Sequence, residues 1–123
     1  MTFGSQVTST YSFFATAGAV VRLGAKPVFA DIETDTYNLD PAKASAAFTP
    51  KTKAVIPVHL YGLPADMDAI LSIANKRNIT VIEDAEQSQG ARYKGKRIGQ
   101  FGVMACFSFY PGDYLYLCVP AIS

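Results

Sequence analysis

Histidine occurs once in this sequence and cysteine twice, and none of the three stands where a metal would need it. Cys106 and Cys118 form no CxxC pair, and His59 is far from both, so the spacing excludes a zinc site. An excess of charge is lacking too. The 11 basic and 10 acidic residues interleave to a net charge of +1, which leaves no basic stripe for a phosphate backbone, so nucleic acid is not an expected partner. No apolar run approaches the ~18 residues of a membrane-spanning helix. The start, MTFGSQVTST, lacks the basic and apolar regions of a signal peptide. The expectation is a cytoplasmic protein with reduced thiols and no membrane partner.

Half of the 123 residues are apolar and only 17% are charged, which suits one small globular domain with a sizeable core. Three segments carry helical periodicity. In SFFATAGAVVRLG, Phe14, Ala17, Gly18 and Val21 recur at helical spacing and Gly24 is a stop. In DPAKASAAF, Asp40 is the N-cap, Pro41 takes the first helical position, and Ala44, Ala47 and Phe48 share a face. In DMDAILSIANKRN, Met67, Ile70, Leu71 and Ala74 form the apolar stripe ahead of a basic C-terminus. Between these lie the short apolar runs KPVFAD, TKAVIPVHL, NITVIED and VMACFSF, whose continuous hydrophobicity suits strands covered on both faces. The fold class expected is α/β, a mostly parallel sheet with flanking helices. GARYKGKRIGQFG breaks the alternation and reads as an exposed excursion or small hairpin.

In an open parallel sheet, ligands bind beyond the carboxyl ends of the strands. Those ends carry Asp31, His59, Asp84, and Ser108 with Tyr110. Asp31 reads as shaping the turn DIETDTYN, and His59 as a hydrogen-bonded histidine at a strand end. Asp84 follows an apolar-rich strand, where an unpaired charge is costly, so it calls for a partner. A protonated ring nitrogen is one such partner, as pyridoxal chemistry uses.

The runs KPVFADIETDTYNLDP, TPKTKAVIPVHLYGLPADMDAI, VIEDAEQSQGARYKGKRIGQFG and CFSFYPG resemble, in order and spacing, the DegT/StrS family of sugar aminotransferases, from about Gly4 to Gly112. The resemblance implies part of the large domain of the aspartate aminotransferase fold, the fold type I of pyridoxal-phosphate (PLP) enzymes. It also implies amino transfer from glutamate to a nucleotide-linked keto-sugar in a cytoplasmic homodimer. Carried over by position, Asp84 matches the aspartate that pairs with the pyridine nitrogen, and Gln87 the residue that contacts the phenolic oxygen. Phe13 matches the aromatic stacked on the pyridine ring, and Ser108 a serine near the phosphate.

The pattern then fails. Where the family continues from SFYPG with the lysine that holds the cofactor as a Schiff base, this chain has Asp113 and the unrelated tail DYLYLCVPAIS. A carboxylate cannot form that bond, so no catalytic residue is assigned and covalent cofactor attachment is not expected. Residues 1–112 are therefore expected to be a partial cofactor-binding large domain, and 113–123 a divergent apolar tail. The preceding phosphate-cradling segment and the small domain of the family are missing from the matched pattern. Two smaller departures are Ala44, where relatives often have a larger aliphatic, and Glu86, an added carboxylate near Asp84. Three readings follow: an inactive fragment of a sugar aminotransferase, a non-catalytic module that binds cofactor weakly or pairs with a full-length subunit, or an enzyme with altered chemistry.

Overall fold

A computed structural model describes residues 4–109 of the chain. The proposed boundary near Gly112, Tyr110, Asp113 and the apolar tail lie outside the described residues. In chain order the elements are β1 (Ser5–Ser9), α1 (Phe14–Arg22), β2 (Lys26–Ala30), α2 (Pro41–Ala47), β3 (Thr52–Ile56), α3 (Met67–Lys76), β4 (Thr80–Asp84), β5 (Arg92–Tyr93), β6 (Lys96–Arg97) and β7 (Met104–Cys106). Five strands form one parallel sheet in the order β2-β1-β3-β4-β7, as the alternation of segments required.

Strand β1 was not expected. Its sequence SQVTS has a single apolar side chain, Val7, yet it lies inside the sheet between β2 and β3. Ser5, Thr8 and Ser9 are buried: the Ser5 and Thr52 hydroxyls lie 3.3 Å apart, and Thr8 Oγ1 donates to the Ile56 carbonyl at 2.9 Å. Satisfied hydroxyls make this burial tolerable without hydrophobic periodicity.

Neighbouring strand residues face opposite sides of the sheet. Val7, Val55 and Val81 pack with Ala44, Met67, Ile70 and Ala74 under α2 and α3. Ile56 and Ile82, one residue later on their strands, join Val20 and Ala25 on the α1 side. Ala44 is fully buried in the main core.

The helix boundaries follow the sequence signals. Asp40 accepts from the amides of Ala42 and Lys43, with Pro41 opening α2, and Asp66 Oδ1 accepts from the Ala69 amide at the start of α3. Gly24, at φ 72°, stops α1 and donates its amide to the Val21 carbonyl. The inward face of α1 differs from expectation: Val20 is buried, whereas Phe14 and Val21 are exposed. The helix is turned so that Thr16 and Val20, one turn apart, meet the sheet, Thr16 bonding a carboxylate and Val20 packing against Ile56.

The interruption is indeed a hairpin. Arg92 pairs with Arg97 and Tyr93 with Lys96 around Lys94 and Gly95, both at positive φ as a type I′ turn requires. It is also docked: the Tyr93 hydroxyl donates to Asp66 Oδ1 at 2.7 Å, Lys94 bonds Asp68, and Lys96 lies over the Phe101 ring. Among the described residues no helix is long and apolar enough to cross a membrane.

Candidate functional site

The carboxyl edge of the sheet gathers the residues singled out in the sequence. After β1 the chain runs through Thr10 and Tyr11 to Phe13, the N-cap of α1, whose ring is 69% exposed. After β3 it passes His59 and makes a tight turn at Tyr61 and Gly62, with φ of 53° and 83°, closed by the Leu63 amide on the Leu60 carbonyl at 2.9 Å. Strand β4 ends at Asp84, and Gln87 follows. A cavity of about 380 Å³ opens between these segments, lined by Thr10, Tyr11, Phe13, Leu60, Tyr61 and Gln87.

Phe13 and Gln87 thus share one cavity. The Tyr61 amide donates to Gln87 Oε1 at 3.4 Å. With its oxygen engaged, Gln87 keeps its amide nitrogen as a donor for another group. Tyr61 was not singled out in the sequence. Its contribution is a backbone amide, which no side-chain pattern announces.

Asp84 is nearly buried, and its partner is a hydroxyl: Thr16 Oγ1 donates to Asp84 Oδ2 at 2.6 Å, while the Glu86 amide points at Oδ1 at 3.4 Å. Thr16 lies three residues beyond Phe13, so the first turn of α1 brings the aromatic and the carboxylate's hydroxyl donor to the same strand ends. Thr16 was also missed, because a threonine inside an apolar helix carries no distinct sequence signal.

The residue before Asp84 is a second carboxylate that sequence reading passed over. Glu83 is fully buried and faces the opposite side, where His59 Nε2 lies 3.0 Å from Oε2. The amides of Gly99, Phe101 and Gly102 donate to it at 2.7, 2.8 and 2.7 Å. Burial raises the Glu83 pKa, but the His59 bond and the Gly102, Gly99 and Phe101 amides outweigh it and hold the group at about 2 against an ordinary 4.5. His59 Nδ1 accepts from the Ala65 amide at 3.0 Å, so the ring proton sits on Nε2 and points at Glu83. His59 is therefore the hydrogen-bonded histidine expected.

Ser108 lies beyond β7, next to β4 in the sheet, and its carbonyl accepts from the Gln89 side chain. It does not line the cavity that holds Phe13 and Gln87. Cys106, paired with Asp84 in register, has its thiol pKa raised by burial and by the nearby Asp84 and Glu86. Asp31 shapes its turn as expected, accepting from the Ile32 amide at 2.9 Å and from Lys43 at 3.3 Å. The Ile32 bond, then Lys43, lowers its pKa. A larger cavity of about 900 Å³, lined in part by Gly4, Lys26 and Lys51, opens at the opposite, amino edge and contains none of the expected site residues.

Residues 4–118 match the family model described as the DegT/DnrJ/EryC1/StrS aminotransferase family. The chain belongs to this family. It is 57% identical over 109 residues to the UDP-2-acetamido-2-deoxy-3-oxo-D-glucuronate aminotransferase of Pseudomonas aeruginosa, covering 89% of this chain and 30% of that protein. Among solved structures it is similar to S. venezuelae DesV, with a TM-score of 0.86 and 44% identity over 89% of this chain and 30% of the other. NtdA from Bacillus subtilis with bound cofactor PMP matches with a TM-score of 0.82 and 39% identity over 88% of this chain and 24% of the other. The family and these neighbours establish the sheet as that of the fold type I PLP-dependent aminotransferases. The chain spans 27–30% of the length of curated relatives it matches.

Proposed function

We propose that this chain is the cofactor-facing part of the large domain of a PLP-dependent nucleotide-sugar aminotransferase. In this reading Asp84 faces the pyridine nitrogen, Phe13 stacks on the ring, Gln87 contacts the phenolic oxygen and Ser108 lies near the phosphate. The observation that carries it is the placement of Phe13 and Gln87 on one cavity, with Asp84, which is not among the lining residues, bonded to Thr16 three residues beyond Phe13. When bound, the cofactor supplies an electron sink that depends on a protonated ring nitrogen. Asp84 keeps that proton in place, because a buried carboxylate favours a cationic neighbour. Phe13 offers an exposed ring face at a helix start, which fits a planar ligand. Gln87, its oxygen held by the Tyr61 amide, has an NH₂ that would donate to the phenolic oxygen.

Glutamate and a nucleotide-linked keto-sugar are the substrates, and a cytoplasmic homodimer the assembly, of the intact enzyme type. With Asp113 in place of the lysine, this chain alone binds cofactor without a covalent bond and does not transaminate. Pyridoxamine phosphate (PMP) is the probe of choice because it cannot form imines with surface lysines. Saturable quenching of tyrosine emission by PMP, lost in Asp84→Ala, is the expected result. Borohydride trapping of PLP at one specific lysine, such as Lys94 or Lys96, or turnover of a nucleotide keto-sugar by the chain alone, would overturn the reading of an incompetent fragment.

One observation favours a second role, as a non-catalytic module that pairs with a full-length subunit: Phe14, Val21 and Leu23 on or beside α1, and Val103 and Met104 at the β7 edge, are exposed. Co-purification of a tagged chain with a full-length family member tests it.

A further inference from the structure

His59 and Glu83 are fully buried, and no buried side-chain polar atom of either lacks a partner. The His59 amide donates to the Asp84 carbonyl at 2.9 Å, and its own carbonyl accepts the Ser88 hydroxyl at 2.7 Å. The backbone of one residue beyond β3 therefore grips the chain at Asp84 and at Ser88, on either side of Gln87. Its ring anchors His59 itself, through Nε2 on Glu83 and Nδ1 on the Ala65 amide. Glu83 in turn collects three amides from the Gly99–Gly102 loop that leads into β7, the strand preceding Ser108.

We infer that the His59–Glu83 pair is a positioning unit: its side-chain bonds hold in place the His59 backbone that grips Asp84 and Ser88 on either side of Gln87, and lock the approach to β7 against β4. This rests on the reading of Asp84 and Gln87 as cofactor contacts. The chemistry is specific: Glu83 meets four donors, so an acceptor-only carboxylate is required, and His59 must present one donor and one acceptor. Asp84 and Glu83 alternate across the sheet, so the unit works from the face opposite the cofactor and orients without touching it.

The test compares Glu83→Gln, His59→Asn and His59→Gln in the full chain. Glu83→Gln sets an NH₂ against donors. His59→Asn reaches the Ala65 amide but not Glu83, whereas His59→Gln offers a donor and an acceptor about as far apart as the ring nitrogens. Ile70→Val, a small loss in the α3 core, controls for general destabilisation. Two readouts are taken: emission spectrum and affinity of bound PMP, and amide hydrogen exchange at Ala85, Glu86 and Gln87 without cofactor. Expected are at least tenfold weaker PMP binding, a shifted emission spectrum and faster exchange at the three amides in Glu83→Gln and His59→Asn. His59→Gln and Ile70→Val should match the unaltered chain. If Glu83→Gln does not fold, the contrast between His59→Asn and His59→Gln decides. Faster exchange confined to Gly99, Phe101 and Gly102, with Ala85–Gln87 unchanged, would overturn the inference. If the unaltered chain binds no PMP, the cofactor reading fails, and the exchange data alone still decide whether the pair positions the segment.

Discussion

Thr16 donates its hydroxyl proton to Asp84 across 2.6 Å, joining the first turn of α1 to the last residue of β4 over 68 positions of sequence. Replacing Thr16 with valine keeps the branch and removes the donor. We expect a loss of about 1.5–3 kcal/mol, the range for a hydrogen bond to a charged group, in urea denaturation. PMP affinity should fall as well, since Asp84 loses a fixed orientation. An unchanged midpoint would mean the bond contributes nothing to folding.

Glu83 gives a pH signature of definite sign. Its folded pKa, about 2, lies below the ordinary 4.5, so its stabilisation is complete above about pH 4.5 and is lost as pH falls toward 2. Glu83→Gln should remove that portion of the pH dependence and cost about 3–5 kcal/mol near neutral pH, as for a broken buried pair. Denaturation curves across that interval for both chains test it. Identical slopes would show that another group governs acid stability.

Asp40 caps α2 by accepting from the amides of Ala42 and Lys43 at 2.8 and 3.2 Å. Asp40→Ala should cost about 1 kcal/mol, while Asp40→Asn, also a good cap, should cost a few tenths. Equal losses in thermal denaturation would assign the effect to charge instead of capping.

Gly102 has no room for a side chain: a Cβ there would stand 2.5 Å from the Val81 carbonyl oxygen. Both atoms are backbone-bound, so neither can swing aside. Gly102→Ala should destabilise by about 1–3 kcal/mol, as overpacking does, and should loosen the Glu83 contacts seen by hydrogen exchange. Gly90→Ala meets nothing within 4 Å and carries only the strain of φ 80°. That strain is about 1–2 kcal/mol.

Most of the sheet could be read from the sequence because β2, β3 and β4 are short apolar runs between helix caps. Strand β1 could not, since its burial rests on hydroxyl bonds to β3 that form only when residues 47 and 48 positions away arrive. Within the site, Asp84 stood out as a carboxylate ending an apolar strand, and Gln87 and Phe13 through the family pattern. Thr16, Tyr61 and Glu83 stayed hidden for a shared reason. Each acts through a partner distant in sequence, and for Tyr61 and Glu83 the decisive groups include backbone amides, which have no residue signature. The outward turn of α1 was hidden likewise, because the face it turns to the sheet carries Thr16, bonded to Asp84, beside Val20.

The position of β1 between two later strands has a consequence for how the molecule is made. A ribosome releases β1 before β2 and β3, and its pairing with them waits until Lys26 and then Thr52 have been synthesised and have folded back. Closure of the β1–β3 pair is thus a non-local event with an entropic cost set by the intervening chain, the kind of step that slows folding. During that interval the nascent chain exposes a polar strand, SQVTS, in place of an apolar one. Its hydroxyls keep it hydrated while it waits, which leaves it little drive to pair with the wrong neighbour.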